Sequence, residues 1–476
     1  MAGMRDTALH YSRFTSLKDK TMTQHLQRRL MPRHITFMAL GMAIGTGLFL
    51  GSASTIQLAG PSVLFAYMFG GLMIFIIMRA LGEMAVHDPV AGSFSSYAHR
   101  YLGPFAGYVT GWNYWLLMVG VGMAESTGVG IYMRQWFPDL PQWIWVLGSV
   151  VMIGSLNLMA VKVYGEMEFW FTMIKVVTVV LMILGGAGMI WLGWGNAGHP
   201  VGLSNLWSHG GWFPHGFVGM VLALPVVVFS FGGIETVGMA AGEASQPERT
   251  IPRAVNSVLW RILIFYVGAL FVIMAIYPWN QIGTQGSPFV TTFDKLGIAQ
   301  AAGVINFVLI TAALSGFNST TFSGSRMLYS LANKGQAPAF LGKVSAHGVP
   351  IRGVLVSLAC LLIGVVLNYE LPKRIFEMMM SILSFNTVWT WSMVLIAHFS
   401  FRRRFGKTAF PLRGWPITSA ICLAFLMFVL VMLGYHPDTR VALYVGAAWV
   451  VLLTVAYFVF GIGKRMTVVV ADENAA

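Results

Sequence analysis

The sequence predicts an all-α membrane protein of twelve transmembrane helices. They form a five-plus-five inverted repeat with helices one and six broken, followed by two C-terminal helices. Three observations predict this. Of 476 residues, 57% are hydrophobic and only 10% charged, against about 25% charged in soluble domains. Uncharged apolar runs recur, each near the ~20 residues that cross a bilayer. Glycines interrupt two of these runs at corresponding points of the two halves, in Met38-Ala-Leu-Gly-Met-Ala-Ile-Gly-Thr-Gly-Leu-Phe49 and in Val228-Phe-Ser-Phe-Gly-Gly-Ile-Glu-Thr236.

The elements follow in order. Residues 1–33 are polar and basic, without the apolar core and cleavage site of a signal peptide, and are expected in the cytoplasm. Hydropathy places five spans at 34–57, 62–83, 104–133, 143–160 and 168–193, which make a first repeat, 34–193. Five more, at 216–240, 256–277, 300–330, 351–369 and 374–398, make a second repeat, 216–398. An odd number of spans reverses each repeat in the membrane, and both breaks fall in the first span of their five. Spans at 415–434 and 440–461 form the extra pair, 415–461, and 462–476 is a cytoplasmic tail. The pairs Gly70-Gly71 and Gly185-Gly186 suit close helix packing.

Charge sets the orientation. Lys and Arg number 30 against 17 Asp and Glu, a net charge of +13. In a soluble chain that would raise the question of nucleic acid. Here 24 of the 30 fall on the N-terminal segment, the tail and the loops on their side of the membrane. Five (Arg134, Lys295, Lys373, Arg374 and Arg440) fall on the other side, and Lys175 lies inside a span. The bias puts both termini inside and the loop 195–215, which has no Lys or Arg, outside. No nucleic-acid partner is implied; the basic face suits anionic lipid.

Broken backbone at mid-depth is tolerated only beside protein or a cavity. Paired breaks therefore point to a small-molecule site at the membrane midplane. Three motifs sharpen this: Gly45-Thr-Gly-Leu-Phe, Tyr164-Gly-Glu-Met-Glu-Phe-Trp-Phe and Phe231-Gly-Gly-Ile-Glu, in that order. Distinctive loops accompany them, among them Gly242-Glu-Ala-Ser-Gln-Pro-Glu-Arg-Thr-Ile-Pro252. With these the chain resembles the bacterial amino acid permeases of the amino acid–polyamine–organocation superfamily. The resemblance spans essentially the whole membrane region and extends to the proline, histidine, aromatic, phenylalanine and threonine permeases. It implies a leucine-transporter-type fold and proton-coupled uptake of a neutral amino acid across the inner membrane by alternating access. An exchanger or an amino acid sensor on the same fold is the alternative.

An amino acid zwitterion needs two opposite partners. A helix half that begins at a break offers free N–H groups to a carboxylate, and one that ends there offers carbonyls to an ammonium. Thr46 and Gly47, with Gly45, are the expected carboxylate site. The carbonyls of Ala43 and Ile44, joined by those of Phe229, Ser230 and Gly232, are expected for the ammonium. Phe229 or Phe231 is a candidate gate. Selectivity is expected from Glu125, Phe229, Asn318 and the stretch Ser384-Phe-Asn-Thr387.

Charged groups inside a bilayer are costly and mark function. Lys175, Glu125 and Glu235 are the candidates for proton coupling. The resemblance implies that the Lys175 ammonium takes the place of a sodium ion in sodium-coupled relatives. It would bridge the first helix to the eighth, where Asn318, Ser319 and Thr320 supply oxygens.

Other functions fit less well. No nucleophile–histidine–acid set appears, so no enzyme is expected, and no cofactor or metal is implied. A channel should show polar rings rather than paired breaks. Cys360 and Cys422 lie inside spans without metal-ligand spacing and read as small buried side chains.

Overall fold

The computed structural model describes residues 44–463, except 91, 160, 241–245, 284–285, 296–298, 346–347, 373 and 436–438. The N-terminal segment, the start of the first span with Ala43, most of the tail and residues 242–245 of the motif quoted above lie outside the described residues. Among the described residues the chain is helical without strands. Nine helical stretches there are long and apolar enough to cross a membrane, and Gln142–Asn157 and Gly216–Ser230 are shorter apolar helices.

The first break is visible from its C-terminal side. Gly45 is extended (φ −125°, ψ −164°), and α1 (Thr46–Phe49) starts immediately after it. It leads into α2 (Gly51–Ala59), and a tight Gly60–Ser62 turn opens α3 (Val63–His87). A short helix, α4 (Ser93–Leu102), precedes α5 (Pro104–Met133). The hydropathy reading missed α4 because its burial is one-sided: Phe94, Tyr97 and Ala98 face inward at i, i+3 and i+4 spacing.

Next come α6 (Gln142–Asn157) and α7 (Val161–Leu192). The latter begins seven residues before the expected span, so Glu168 lies two turns inside the helix rather than at its edge. The sixth span is divided as its glycines suggest. Helix α8 (Gly216–Ser230) stops, residues 231–235 form turns, and α9 (Thr236–Ala240) resumes. Gly233 has φ +95°, a left-handed conformation that side chains with a Cβ adopt only at a cost.

The remaining helices are α10 (Pro247–Arg261), which passes through a wide turn at Ile262–Gly268 into α11 (Ala269–Ile276), then α12 (Pro288–Lys295), α13 (Ala299–Asn333), α14 (Ile351–Glu370), α15 (Ile375–Phe405), α16 (Ile417–Tyr435) and α17 (Arg440–Val459).

Burial sorts these helices into layers. The most apolar stretch of α5 is 78% buried, while that of α17 is 17% buried, so α5 is central and α17 peripheral. The most extensive packing joins α5 to α13. Outward-facing Leu181, Leu184, Phe217, Val431 and Phe458 are exposed apolar side chains of the kind lipid covers. Two of the glycines read as packing devices do let helices approach. A Cβ on Gly71 would lie 2.6 Å from Ile262 Cγ2, and one on Gly186 would lie 2.1 Å from Val272 Cγ1.

One polar hub ties an end of the bundle together. The buried Glu83 carboxylate meets His398 Nε2 at 3.0 Å and Arg402 Nη1 at 2.8 Å. It also accepts from Thr408 Oγ1 at 2.8 Å and from the Leu412 N–H at 2.7 Å. A carboxylate with four donors is satisfied where it is buried, and here it holds α3 to α15 and to the loop after it.

Candidate functional site

The two breaks face each other across a cavity of about 20 Å³, room for a single water. Its walls come from α1, α5, the α8–α9 break and α13, and include Gly45, Gly47, Glu125, Phe229, Ser230 and Gly232. All six were expected from the sequence. Met118, Val121, Gly233, Gly316 and Thr320 complete the lining.

The first break already holds a carboxylate. The Thr46 N–H donates to Glu125, with both carboxylate oxygens at 3.3 Å. Glycines make room for it. A Cβ on Gly45 would lie 2.4 Å from Glu125 Oε1, and one on Gly316 would lie 2.7 Å from both Cδ and Oε1. The Thr46 methyl fills the space that Gly128 leaves open: a Cβ on Gly128 would lie 2.4 Å from Thr46 Cγ2. Gly47 fits closely too, since a Cβ there would lie 2.8 Å from the Ser230 Cα. Ile44 is buried in the core beside this site.

At the second break the carbonyls have internal partners. Phe229 O accepts the Gly232 N–H at 2.8 Å, and Ser230 O accepts the Tyr266 hydroxyl at 2.7 Å. Each carbonyl has a second lone pair left to offer. The two phenylalanines differ. Phe229 lines the cavity, whereas Phe231 packs against the rings of Tyr67 and Tyr266, 5.7 and 4.8 Å away. Glu235 reaches back to the break: its Oε2 accepts the Gly233 N–H at 3.1 Å and the Trp391 indole at 3.4 Å. This caps the turn.

Lys175 is fully buried, within electrostatic reach of two carboxylates, Glu168 on its own helix and Glu125 on α5. Glu168 escaped the sequence reading as a site residue because it sat at the expected edge of a span. The signal was its seven-residue spacing to Lys175, two helical turns along one face. It is fully buried, and Ser315 Oγ donates to its Oε1 at 2.6 Å. Asn318 does not line the cavity; its Oδ1 accepts from Asn157 Nδ2 at 2.8 Å. The Thr320 hydroxyl donates to Phe317 O at 2.9 Å. In the Ser384–Thr387 stretch, Thr387 Oγ1 lies 3.9 Å from where a Cβ on Gly232 would stand. Among the described residues no group of three or more His, Cys, Asp or Glu could hold a metal.

The amino acid permease pattern matches residues 34–466. The chain belongs to the amino acid permease family. It is 52% identical over 458 residues to the uncharacterized amino acid permease YtnA of Bacillus subtilis, covering 95% of this chain and 98% of that one. It is 50% identical over 446 residues to the probable threonine/serine transporter YbxG of the same organism, covering 93% and 96%. The aromatic amino acid transport protein AroP of Escherichia coli is 46% identical over 438 residues, covering 91% and 96%. Members of this permease family are transporters, not enzymes, and this chain is a multi-pass membrane protein.

Proposed function

We propose that this permease takes up a neutral amino acid across the bacterial inner membrane, coupled to protons, by alternating access. In this reading it has twelve spans in a five-plus-five inverted repeat, with both termini in the cytoplasm. The observation that carries it is the Glu125 carboxylate on the Thr46 N–H, at the first break and beside the second.

The substrate carboxylate and Glu125 compete for the same donor. Two carboxylates at one site repel, so the substrate binds when Glu125 withdraws or takes a proton. A proton on Glu125 thus accompanies the substrate. Lys175, with Glu125 and Glu168 as its electrostatic neighbours, relays that proton, and the change of charge reaches α7 and α13. The substrate ammonium takes the carbonyls of Ile44, Phe229 and Gly232. An amino acid is larger than the present cavity, so α1, α8 and their neighbours must part to admit it.

Met118, Val121 and Phe229 give the side-chain wall an apolar face, which supports a neutral substrate. The names of the relatives suggest threonine, serine or an aromatic amino acid as first candidates, with proline and histidine next. The test is uptake by reconstituted protein of labelled threonine, serine, phenylalanine, tyrosine, tryptophan, proline and histidine under an imposed pH gradient. Accumulation that collapses with the gradient is expected. Counterflow indifferent to the gradient would identify an exchanger, and binding without flux would identify a sensor.

A further inference from the structure

A second polar and apolar pair of spaces lies outside the cavity just described. The larger, about 280 Å³, is lined by Leu58, Leu222, Val226, Met380 and Met432, with Ser54 and Glu377 at its margin. The smaller, about 90 Å³, is lined by Arg134, Gln142 and Phe376, and again by Ser54, Glu377 and Met380. Ser54, Glu377 and Met380 line both, so the two spaces adjoin and together form a vestibule. It lies at the end of the bundle opposite the Glu83 hub, since α3 runs from beside α2 to Glu83 at its far end. Ser54 is eight residues along from Thr46, about 12 Å at 1.5 Å per residue.

The vestibule carries two opposite charges that belong where they are. Glu377 is in the first turn of α15. Arg134 is the C-cap of α5. An acid at a helix start and a base at a helix end are each favoured by the helix dipole. Among the described residues neither side chain has an ion-pair partner, although both line the smaller space. The larger space is near the size of small-molecule pockets and mostly apolar. Met380 lines both spaces, and its sulfur lies 3.2 Å from where a Cβ on Gly51 would stand, so a flexible side chain packs there against α2.

We propose that this vestibule is an outer recognition site for amino acids with apolar side chains. Arg134 takes the carboxylate, Glu377 takes the ammonium, and the side chain enters the space between Leu58, Leu222 and Met432. Its role as a waiting site for the central cavity rests on the transport reading above; the binding itself does not.

The test uses full-length protein with Cys360 replaced by Ser and a reporter cysteine at Ser381, on the rim of the larger space. L-Phenylalanine should protect S381C from a polar thiol reagent. E377Q and R134Q should each raise the protecting concentration about tenfold. L-Phenylalaninamide, which lacks the carboxylate, should protect poorly in the parent and no worse than phenylalanine in R134Q. N-acetyl-L-phenylalanine should show the same pattern with E377Q. In uptake, both variants should raise KM with kcat within twofold of the parent. Protection that both variants leave within twofold of the parent overturns the outer site, as does failure of phenylalanine to protect at all. Absence of uptake in the parent, with protection that E377Q and R134Q still remove, would instead sink the transport reading and leave the site standing.

Discussion

The backbone N–H of Thr46 meets the Glu125 carboxylate at 3.3 Å from each oxygen, although 79 residues separate them in the chain. The groove between Gly45, Gly316 and the second break is shaped around that carboxylate. In the transport proposed above, this contact is where a proton and a substrate carboxylate replace one another.

Glu125→Gln keeps an acceptor for the Thr46 N–H but removes the group that can carry the proton. Exchange of labelled for unlabelled substrate should persist within about tenfold of the parent. Accumulation driven by a pH gradient should vanish. An E125Q protein that still concentrates substrate in proteoliposomes would move the proton to another group.

Gly316→Ala places a methyl group 2.7 Å from the Glu125 carboxyl carbon. Alanine favours a helix interior over glycine by about 1 kcal/mol, while overpacking costs about 1–3 kcal/mol. Stability should therefore fall by no more than about 2 kcal/mol, while uptake should fall sharply. Gly303→Ala in the same helix is the control. Nothing lies within 4 Å of its added Cβ, so uptake should survive. Comparing melting temperature and uptake for the two variants separates crowding of the site from a general effect on α13.

Much of this was legible in the sequence, for reasons tied to particular residues. Gly45, Gly232 and Gly233 announce the breaks because a membrane span cannot leave backbone unsatisfied without a neighbour. Lys175 and Glu125 stand out because charge in an apolar run is costly. What hydropathy could not give was pairing across helices. Nothing local says that Glu125 reaches the Thr46 N–H or that Asn318 bonds to Asn157. Glu168 was obscured by a span boundary set seven residues late, and α4 by a burial pattern that is one-sided rather than apolar throughout. Met118, Val121 and Gly316 look like ordinary membrane residues until the fold turns them to the cavity.

Lys175 is enclosed, with Glu168 and Glu125 as its electrostatic neighbours. Lys175→Met leaves two buried carboxylates without their cation, and breaking such a group costs about 3–5 kcal/mol. It should lower the melting temperature and abolish accumulation. Lys175→Arg keeps the charge but cannot release a proton in this range. If the lysine only balances charge, the arginine variant should accumulate substrate; if it passes protons, accumulation should fail while the fold survives. The coupling reading predicts failure, measured as the steady-state ratio of internal to external substrate under a pH gradient.

Outside the membrane spans, Lys334 follows the end of α13 and donates to Ser96 Oγ at 2.7 Å. Burial, then the nearby Arg100, push its pKa down from 10.5 to about 8. The folded protein thus binds this proton less tightly than the unfolded chain does. The sign follows from linkage: the contribution to stability is fully present above about 10.5 and is lost as pH falls through about 8. Below that, the folded state carries a partly buried cation at a cost. His99 faces the same cluster, and burial, Lys334 and Arg100 hold its pKa below 6.5. Lys334→Met removes one charge from the set. Relative to the parent, its melting temperature should be most favourable below pH about 8, and the advantage should shrink as pH rises toward 10.5. The loss of the Ser96 hydrogen bond subtracts a nearly constant amount, about 0.5–1.5 kcal/mol, across that range. The quantity to measure is therefore the difference between the two melting curves as a function of pH. A difference that stays flat from pH 7 to 10.5 would show that Lys334 keeps its ordinary titration in the folded protein.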